Sequence, residues 1–199
     1  MRAFALTLSE TPERTAKAKA HFDEHGVKAQ FINGIHAEKF GLLTTHAYEV
    51  DHPGSGYRIP PKHVGMCLSH YIAWTVCSFF SDESFLILED DAQFAPDWKS
   101  RYHAAMAHLP QDWDLFYIGS CNCELSQKDH IGGEVFKVVN PMCTHAILIR
   151  NKAIPVLLET QRKIWAPIDL SLIFRSLPKL KTYCLLPRIV SQFDTVIQP

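Results

Sequence analysis

No apolar run in this sequence approaches the ~20 residues that a membrane-spanning helix requires. The longest, Ile72 to Phe80, is interrupted by Thr75 and Ser78. Glycine-rich phosphate loops are missing too: there is no P-loop, no G-x-G-x-x-G and no G-x-S-x-G, which argues against a P-loop NTPase, a Rossmann dehydrogenase and an α/β-hydrolase. A surplus of either charge is also missing. Twenty Lys plus Arg face 21 Asp plus Glu, a net charge of -1, so no global field gathers polyanions and nucleic acid is not an expected partner. The N-terminal apolar run, Ala3 to Leu8, is shorter than a secretory h-region of ~7 to 15 residues. A cytoplasmic chain is therefore expected. Six cysteines without one C-x-x-C pair do not make the dense framework of a small secreted fold, and reduced thiols are expected.

What is present suits an ordinary folded domain. At roughly 100 to 200 residues per domain, positions 1–199 read as one. Ala3 to Leu8 reads as a buried strand, and Thr11-Pro12-Glu13 as a helix start with a proline in its first turn. Ala16, Ala20 and Phe22 form the expected apolar stripe of that helix, with Gly26 as a left-handed cap. A strand at about Ala29 to Asn33 follows, and strand, helix, strand is the opening of a parallel sheet with crossover helices. Gly34 to His63 shows no period and reads as a loop flanking a site. Gly65 to Phe80 is helical through Leu68, Ile72 and Val76, and Asp97 to Leu109 is a second such stretch. Strands are expected at Ser84 to Leu88, Leu115 to Ile118, Ala146 to Ile149 and Lys181 to Leu185. Asn151 is expected to cap a helix to about Arg162, and Asp169 to open another to about Leu177.

The sharpest local feature is the apolar run Phe85-Leu86-Ile87-Leu88 broken by Glu89-Asp90-Asp91. Ligands of open α/β sheets bind beyond the carboxyl ends of the strands, and three successive acids there repel one another unless a cation relieves them. Carboxylates suit Mg²⁺ or Mn²⁺, which leave coordination positions for substrate phosphates. If the chain stays extended, Glu89 and Asp91 share one side and Asp90 takes the other. The plain alternative is a strand terminus. Asp169, after Pro167-Ile168, reads either as a helix cap or as a fixed general base. His70 on a helix and His145 before a strand read equally as packed side chains or site residues. Cys121, Cys123, Cys143 and His145 could supply three thiolates and an imidazole to zinc, but structural zinc sites usually use C-x₂₋₄-C and the spacing does not match.

Taken in order, these pieces resemble glycosyltransferase family 25. The resemblance rests on Phe4 to Leu8 followed by Arg14, Val64-Gly65-Met66-Cys67-Leu68-Ser69-His70, Leu86 to Asp91, and Trp113-Asp114 with Tyr117-Ile118-Gly119. It continues through Thr144-His145-Ala146 and Pro167-Ile168-Asp169 to Pro187-Arg188-Ile189-Val190-Ser191-Gln192. It implies an α/β, GT-A-like fold with a mixed, mostly parallel sheet flanked by helices. It further implies a UDP-sugar donor, a saccharide acceptor and inverting transfer of a hexose, galactose first, in lipooligosaccharide or other surface-glycan synthesis at the inner face of the membrane. On the same resemblance Asp91 holds the metal, Mn²⁺ or Mg²⁺, with Glu89 on metal or ribose and Asp169 as base. Arg14, Ser69, His70 and Asp90 fall among the donor-binding residues, and His145 and Gln192 near the site. Two positions depart from the family pattern: Met66, expected to affect helix packing only, and Ile147, where a tyrosine is usual. Two other readings use the same acids. A haloacid-dehalogenase-like phosphatase needs D-x-D-x-[TV] near the first strand, which Glu89-Asp90-Asp91-Ala92 does not match. A non-catalytic nucleotide-sugar-binding module is the other, since fold does not establish activity.

Overall fold

A computed structural model of the chain describes residues 1–39, 59–123, 125, 127–138 and 140–193. Most of the expected loop from Gly34 to His63 lies outside these residues. The elements follow the sequence order β1 (Arg2–Thr7), α1 (Pro12–Glu24), β2 (Ala29–Asn33), α2 (Pro61–Cys77), β3 (Ser84–Glu89), β4 (Ala92–Phe94), α3 (Trp98–His108) and β5 (Leu115–Gly119). They continue with β6 (His130–Gly132), β7 (Val135–Lys137), β8 (Ala146–Arg150), α4 (Ile154–Gln161), α5 (Ile168–Ser171), β9 (Thr182–Leu185) and β10 (Val190–Gln192).

Eight strands form one sheet in the order β2-β1-β3-β8-β5-β9-β7-β6, and β4 pairs with β10 in a separate ribbon. In the large sheet β8 and β7 run against the other strands. The sheet is therefore mixed but mostly of one direction, as expected. Its central strands are apolar throughout because both faces are covered. Alternation assigns Phe85 and Ile87 of β3, with Leu115 and Tyr117 of β5, to the face packed by α2, α4 and α5. Leu86 and Leu88, with Phe116 and Ile118, face α1 and α3. The result is a three-layer sandwich whose strand ends are left open for a site.

Several local expectations change on folding. In α1 the buried pair is Ala18 and Phe22, four residues apart, while Ala16 and Ala20 are exposed. Helix α2 starts at Pro61, and its buried stripe runs through Cys67, His70, Trp74 and Cys77, leaving Leu68, Ile72 and Val76 half-buried. Gly65 is fixed by close approach: a Cβ there would stand 2.3 Å from the Ile35 carbonyl oxygen. Gly26 takes the left-handed conformation expected of it, φ 68°. Asn151 does not cap α4. Its side chain donates instead to the carbonyls of Phe80 and Asp82, both at 3.0 Å. Asp169 sits inside α5, whose N-cap is Pro167, and the helix passes after Ser171 into a wider π turn, Leu172–Ser176. Cys121 and Cys143 are joined in a disulfide, correcting the expectation that all thiols are reduced. The four remaining cysteines are free.

Candidate active site

Strand β3 delivers Glu89 to the edge of the sheet, and the chain turns through Asp90 and Asp91 into β4. Glu89 and Asp91 line the same cleft, and the charge of one acts on the other. Asp90 and Asp91 also share Arg14, which the first turn of α1 supplies. Arg14 Nε donates to Asp90 Oδ1 at 2.8 Å, and its Nη2 lies 3.2 Å from Asp91 Oδ2. Pairing of β4 with β10 sets Gln192 opposite Ala92, and Gln192 Nε2 donates to Asp91 Oδ2 at 3.1 Å.

Glu89 has different partners. Its Oε1 accepts from Thr144 Oγ1 at 2.6 Å and faces His70 Nε2 at 3.3 Å, while its backbone N–H donates to the His145 carbonyl at 3.0 Å. Burial alone would raise its pKa. The hydrogen bond and charge of His70, with the Thr144 hydroxyl, outweigh that and hold the carboxyl below its usual value. Asp91 has the opposite balance: burial and then the Glu89 charge push its pKa up to about 6, more than Arg14 compensates. Its Oδ1 is buried without a hydrogen-bond partner. A buried carboxylate oxygen left alone in this way is short of positive charge.

These side chains line a cleft of about 390 Å³ that also takes in His36 and Lys62, within the usual range for small-molecule sites. Arg14, Ser69, His70, Glu89, Asp90, Asp91 and Gln192 all reach it. Ser69 serves the backbone, accepting from the Ile35 N–H at 2.9 Å and donating to the Gly65 carbonyl at 2.7 Å. Met66 also lines the cleft and is exposed, correcting the expectation that it acts only in helix packing. Two expected residues are not in the lining. His145 is buried behind it, its Nε2 3.1 Å from the Val190 carbonyl oxygen. Asp169 lies towards the Cys67 side of α2 and adds, after burial, to the upward shift of the Cys67 thiol to about 12; its Oδ1 accepts from the Leu170 N–H at 2.9 Å. Sequence reasoning missed Thr144 as the partner of Glu89, and Lys62 and His36 as cleft residues. The Pro60-Pro61 pair ahead of Lys62 was the available signal for a helix start at the cleft.

The family profile for glycosyltransferase family 25, described as an LPS biosynthesis protein, matches residues 1–172. The chain belongs to glycosyltransferase family 25. Among its relatives, a glycosyltransferase 25 family member from Aedes aegypti is 30% identical over 124 residues, 58% of this chain and 20% of that protein. Human procollagen galactosyltransferase 2 is 22% identical over 136 residues, covering 63% of this chain and 22% of its own length. A Mus musculus relative, 25% identical over 125 residues, 58% of this chain and 21% of its own, is named an inactive family member. This family 25 chain thus spans about a fifth of the length of the curated relatives it matches. In fold it is similar to a glycosyltransferase involved in glycosylation of the major capsid of PBCV-1, with a TM-score of 0.56 at 12% identity, covering 98% of this chain and 94% of that one. Its α/β architecture is GT-A-like.

The residues fit a divalent cation. Asp91 Oδ1 is the orphaned oxygen such an ion requires, Asp90 stands beside it, and carboxylate oxygens are the donors that Mg²⁺ and Mn²⁺ prefer. Glu89, also in the cleft lining, meets His70 and Thr144 through Oε1.

Proposed function

We propose that this family 25 chain transfers a hexose, galactose first, from a UDP-sugar to a hydroxyl of a saccharide acceptor, with inversion, in the synthesis of a surface glycan at the cytoplasmic face of a membrane. Family membership supports glycosyl transfer as the chemistry. The observation that carries the donor reading is the undercompensated Asp91 in a cleft that also holds Arg14 and Lys62. A nucleoside diphosphate brings negative charge that two cationic side chains and a metal on acids can meet together.

Asp91, with Asp90, would hold Mn²⁺ or Mg²⁺, which when bound neutralises charge that develops on the departing diphosphate. Arg14, half-exposed at its side chain, swings from the carboxylates to the phosphates as the donor enters. His70 and Thr144 keep Glu89 fixed and ionised, so that the turn carrying Asp90 and Asp91 does not move. Asp169 takes the proton from the acceptor hydroxyl on the side of the sugar away from the diphosphate. Galactose as the first choice rests on family resemblance and agrees with the name of the human relative.

Binding without turnover is the second reading, favoured by the relative named inactive. Thermal shift separates donor binding from silence: UDP-galactose with Mn²⁺ should raise the melting temperature, because a ligand that binds only the native state stabilises it. Hydrolysis or transfer of the sugar, followed by release of UDP, then separates enzyme from module. A shift with GDP-mannose or a CMP-sugar and none with UDP-sugars would overturn the donor assignment.

A further inference from the structure

Behind the acidic turn lies a second constellation that the transfer chemistry does not use. Cys121 follows β5 and Cys143 precedes β8, so two distant segments meet where adjacent strands begin and end. Their Cα atoms are 5.6 Å apart, and one sulfur from each, with a ring nitrogen of His145, lie within 4.8 Å of one another. His145 is 1% exposed. Its Nε2 lies 3.1 Å from the Val190 carbonyl oxygen, an acceptor only, so the ring proton sits on Nε2. Nδ1 is left deprotonated, buried and without a hydrogen-bond partner. An imidazole held by a backbone carbonyl at one nitrogen and bare at the other is the usual state of a metal-bound histidine.

We propose that Cys121, Cys143 and His145 form a redox-gated site for a thiophilic divalent cation of the Zn²⁺ class. In the oxidised chain the two sulfurs bond to each other and no metal is held. A dithiol reductant transfers two electrons and two protons, breaking the disulfide into two thiols and becoming a disulfide itself. Zn²⁺ then displaces the two thiol protons and is bound by two thiolates and the imidazole, with water in the fourth position. Zinc-to-sulfur bonds of ~2.3 Å place tetrahedral ligands roughly 3.5 to 4 Å apart, a spacing that the opened pair reaches by rotating side chains rather than moving strands. Cys123 is not a ligand: its sulfur lies 3.2 Å from Ser120 Oγ and its free thiol shares a hydrogen bond with that of Cys184. This differs from the four-ligand set that the sequence suggested, because packing, not local spacing, selects the ligands. The site adjoins the cleft through Gln192, whose Oε1 is 3.4 Å from Cys121 Sγ while its amide holds Asp91.

The test uses the full chain, reduced with a phosphine, freed of reductant under nitrogen and titrated with Co²⁺ as a spectroscopic probe. A thiolate-to-cobalt charge-transfer band should grow to saturation at a single equivalent and be bleached by Zn²⁺. Co²⁺ on the carboxylates of Asp90 and Asp91 gives no such band, so the two sites are distinguishable. The band should be absent from the oxidised protein, lost in Cys143→Ser and in Cys121→Ser, and kept in Cys123→Ser, with circular dichroism confirming that each variant is folded. His145→Gln, which keeps an N–H towards Val190, should weaken Co²⁺ binding by at least about tenfold. A reduced, folded protein that gives no band, or a band that survives Cys143→Ser, overturns the proposal.

Discussion

The acidic turn after β3 and the corner made by Cys121, Cys143 and His145 stand on either side of Gln192, yet their interactions are arranged in opposite ways. At the turn, charge is gathered and left incompletely compensated: Asp91 keeps a bare oxygen and a raised pKa although Arg14 and Gln192 reach it. At the corner, the two sulfurs are closed by a covalent bond, and the bare atom, His145 Nδ1, is neutral rather than charged. The turn thus carries negative charge that its own neighbours do not balance, at a cost in stability. The corner gives the loops that frame the turn a fixed shape.

The largest effect should come from removing the uncompensated charge. Asp91→Asn keeps the size of the side chain but not its charge, and transfer should fall by about 10³-fold, the several kcal/mol that metal stabilisation of a leaving group supplies. The same substitution should stabilise the free protein at neutral pH by about 1 to 3 kcal/mol, since a shift of one pKa unit corresponds to ~1.4 kcal/mol. Denaturant melts and turnover on one preparation would show both. A variant that loses activity and stability together would mean that Asp91 is a structural residue and that the two regions do not differ as argued.

Breaking the corner should have the reverse signature. Cys121 and Cys143 are 22 residues apart in sequence, and opening a loop of that length releases the unfolded chain from a constraint of about 3 kcal/mol. Anaerobic reduction should lower the melting temperature by several degrees, and Zn²⁺ should recover part of the loss in reduced wild-type protein but not in Cys143→Ser. Donor binding, measured by titration at a temperature where the reduced protein is folded, should change far less than stability.

The base proposed for the acceptor side is tested next. Asp169→Asn should lower kcat by roughly 10² with donor affinity nearly unchanged, because general base help is typically worth ~10² to 10⁴ and the residue lies outside the donor cleft. Product NMR should show a β linkage from the α-linked donor. Near-normal kcat, or an α linkage, would leave Asp169 as a local backbone partner of Leu170.

What could be read beforehand follows the range of the interactions. The strands β1, β3, β5 and β8 are continuous apolar runs whose periodicity is local, and Glu89-Asp90-Asp91 marks the end of β3 in the sequence itself. Arg14, Ser69, His70 and Gln192 were reached through family resemblance, and the fold brings them to one cleft. The short strands β4, β6, β7 and β10 were not legible: each has three residues, too few for a period, and each exists because of a partner far along the chain or across a turn. Ala18 displaced Ala16 and Ala20 from the buried face of α1 because the sheet, not the helix, fixes which side is covered. The pairing of Cys121 with Cys143 and of Thr144 with Glu89 depends on β8 entering between β3 and β5, and no local spacing encodes that insertion.

The smallest effect is the pH dependence that the turn imposes. Asp91, with its folded pKa raised to about 6 by burial and the Glu89 charge, must lose a proton before it can hold a cation, so metal binding releases that proton. Below about pH 6 the apparent Mn²⁺ affinity should fall by about tenfold per pH unit, and above about pH 7 it should be flat. Burial raises Asp90 as well, against the pull of Arg14, which steepens the lower end; Glu89, held below its usual value, adds nothing in this window. The stability contribution has the opposite direction. A carboxyl whose folded pKa lies above its unfolded value favours folding most at low pH, and that contribution is lost as pH rises from ~4 to about 6. Calorimetric titration of Mn²⁺ at pH 5 and 7, with melts in metal-free buffer across the same range, should therefore show affinity rising while this group's share of stability falls. Asp91→Asn should flatten the stability slope over this range, and an unchanged slope in that variant would place the raised pKa on another group.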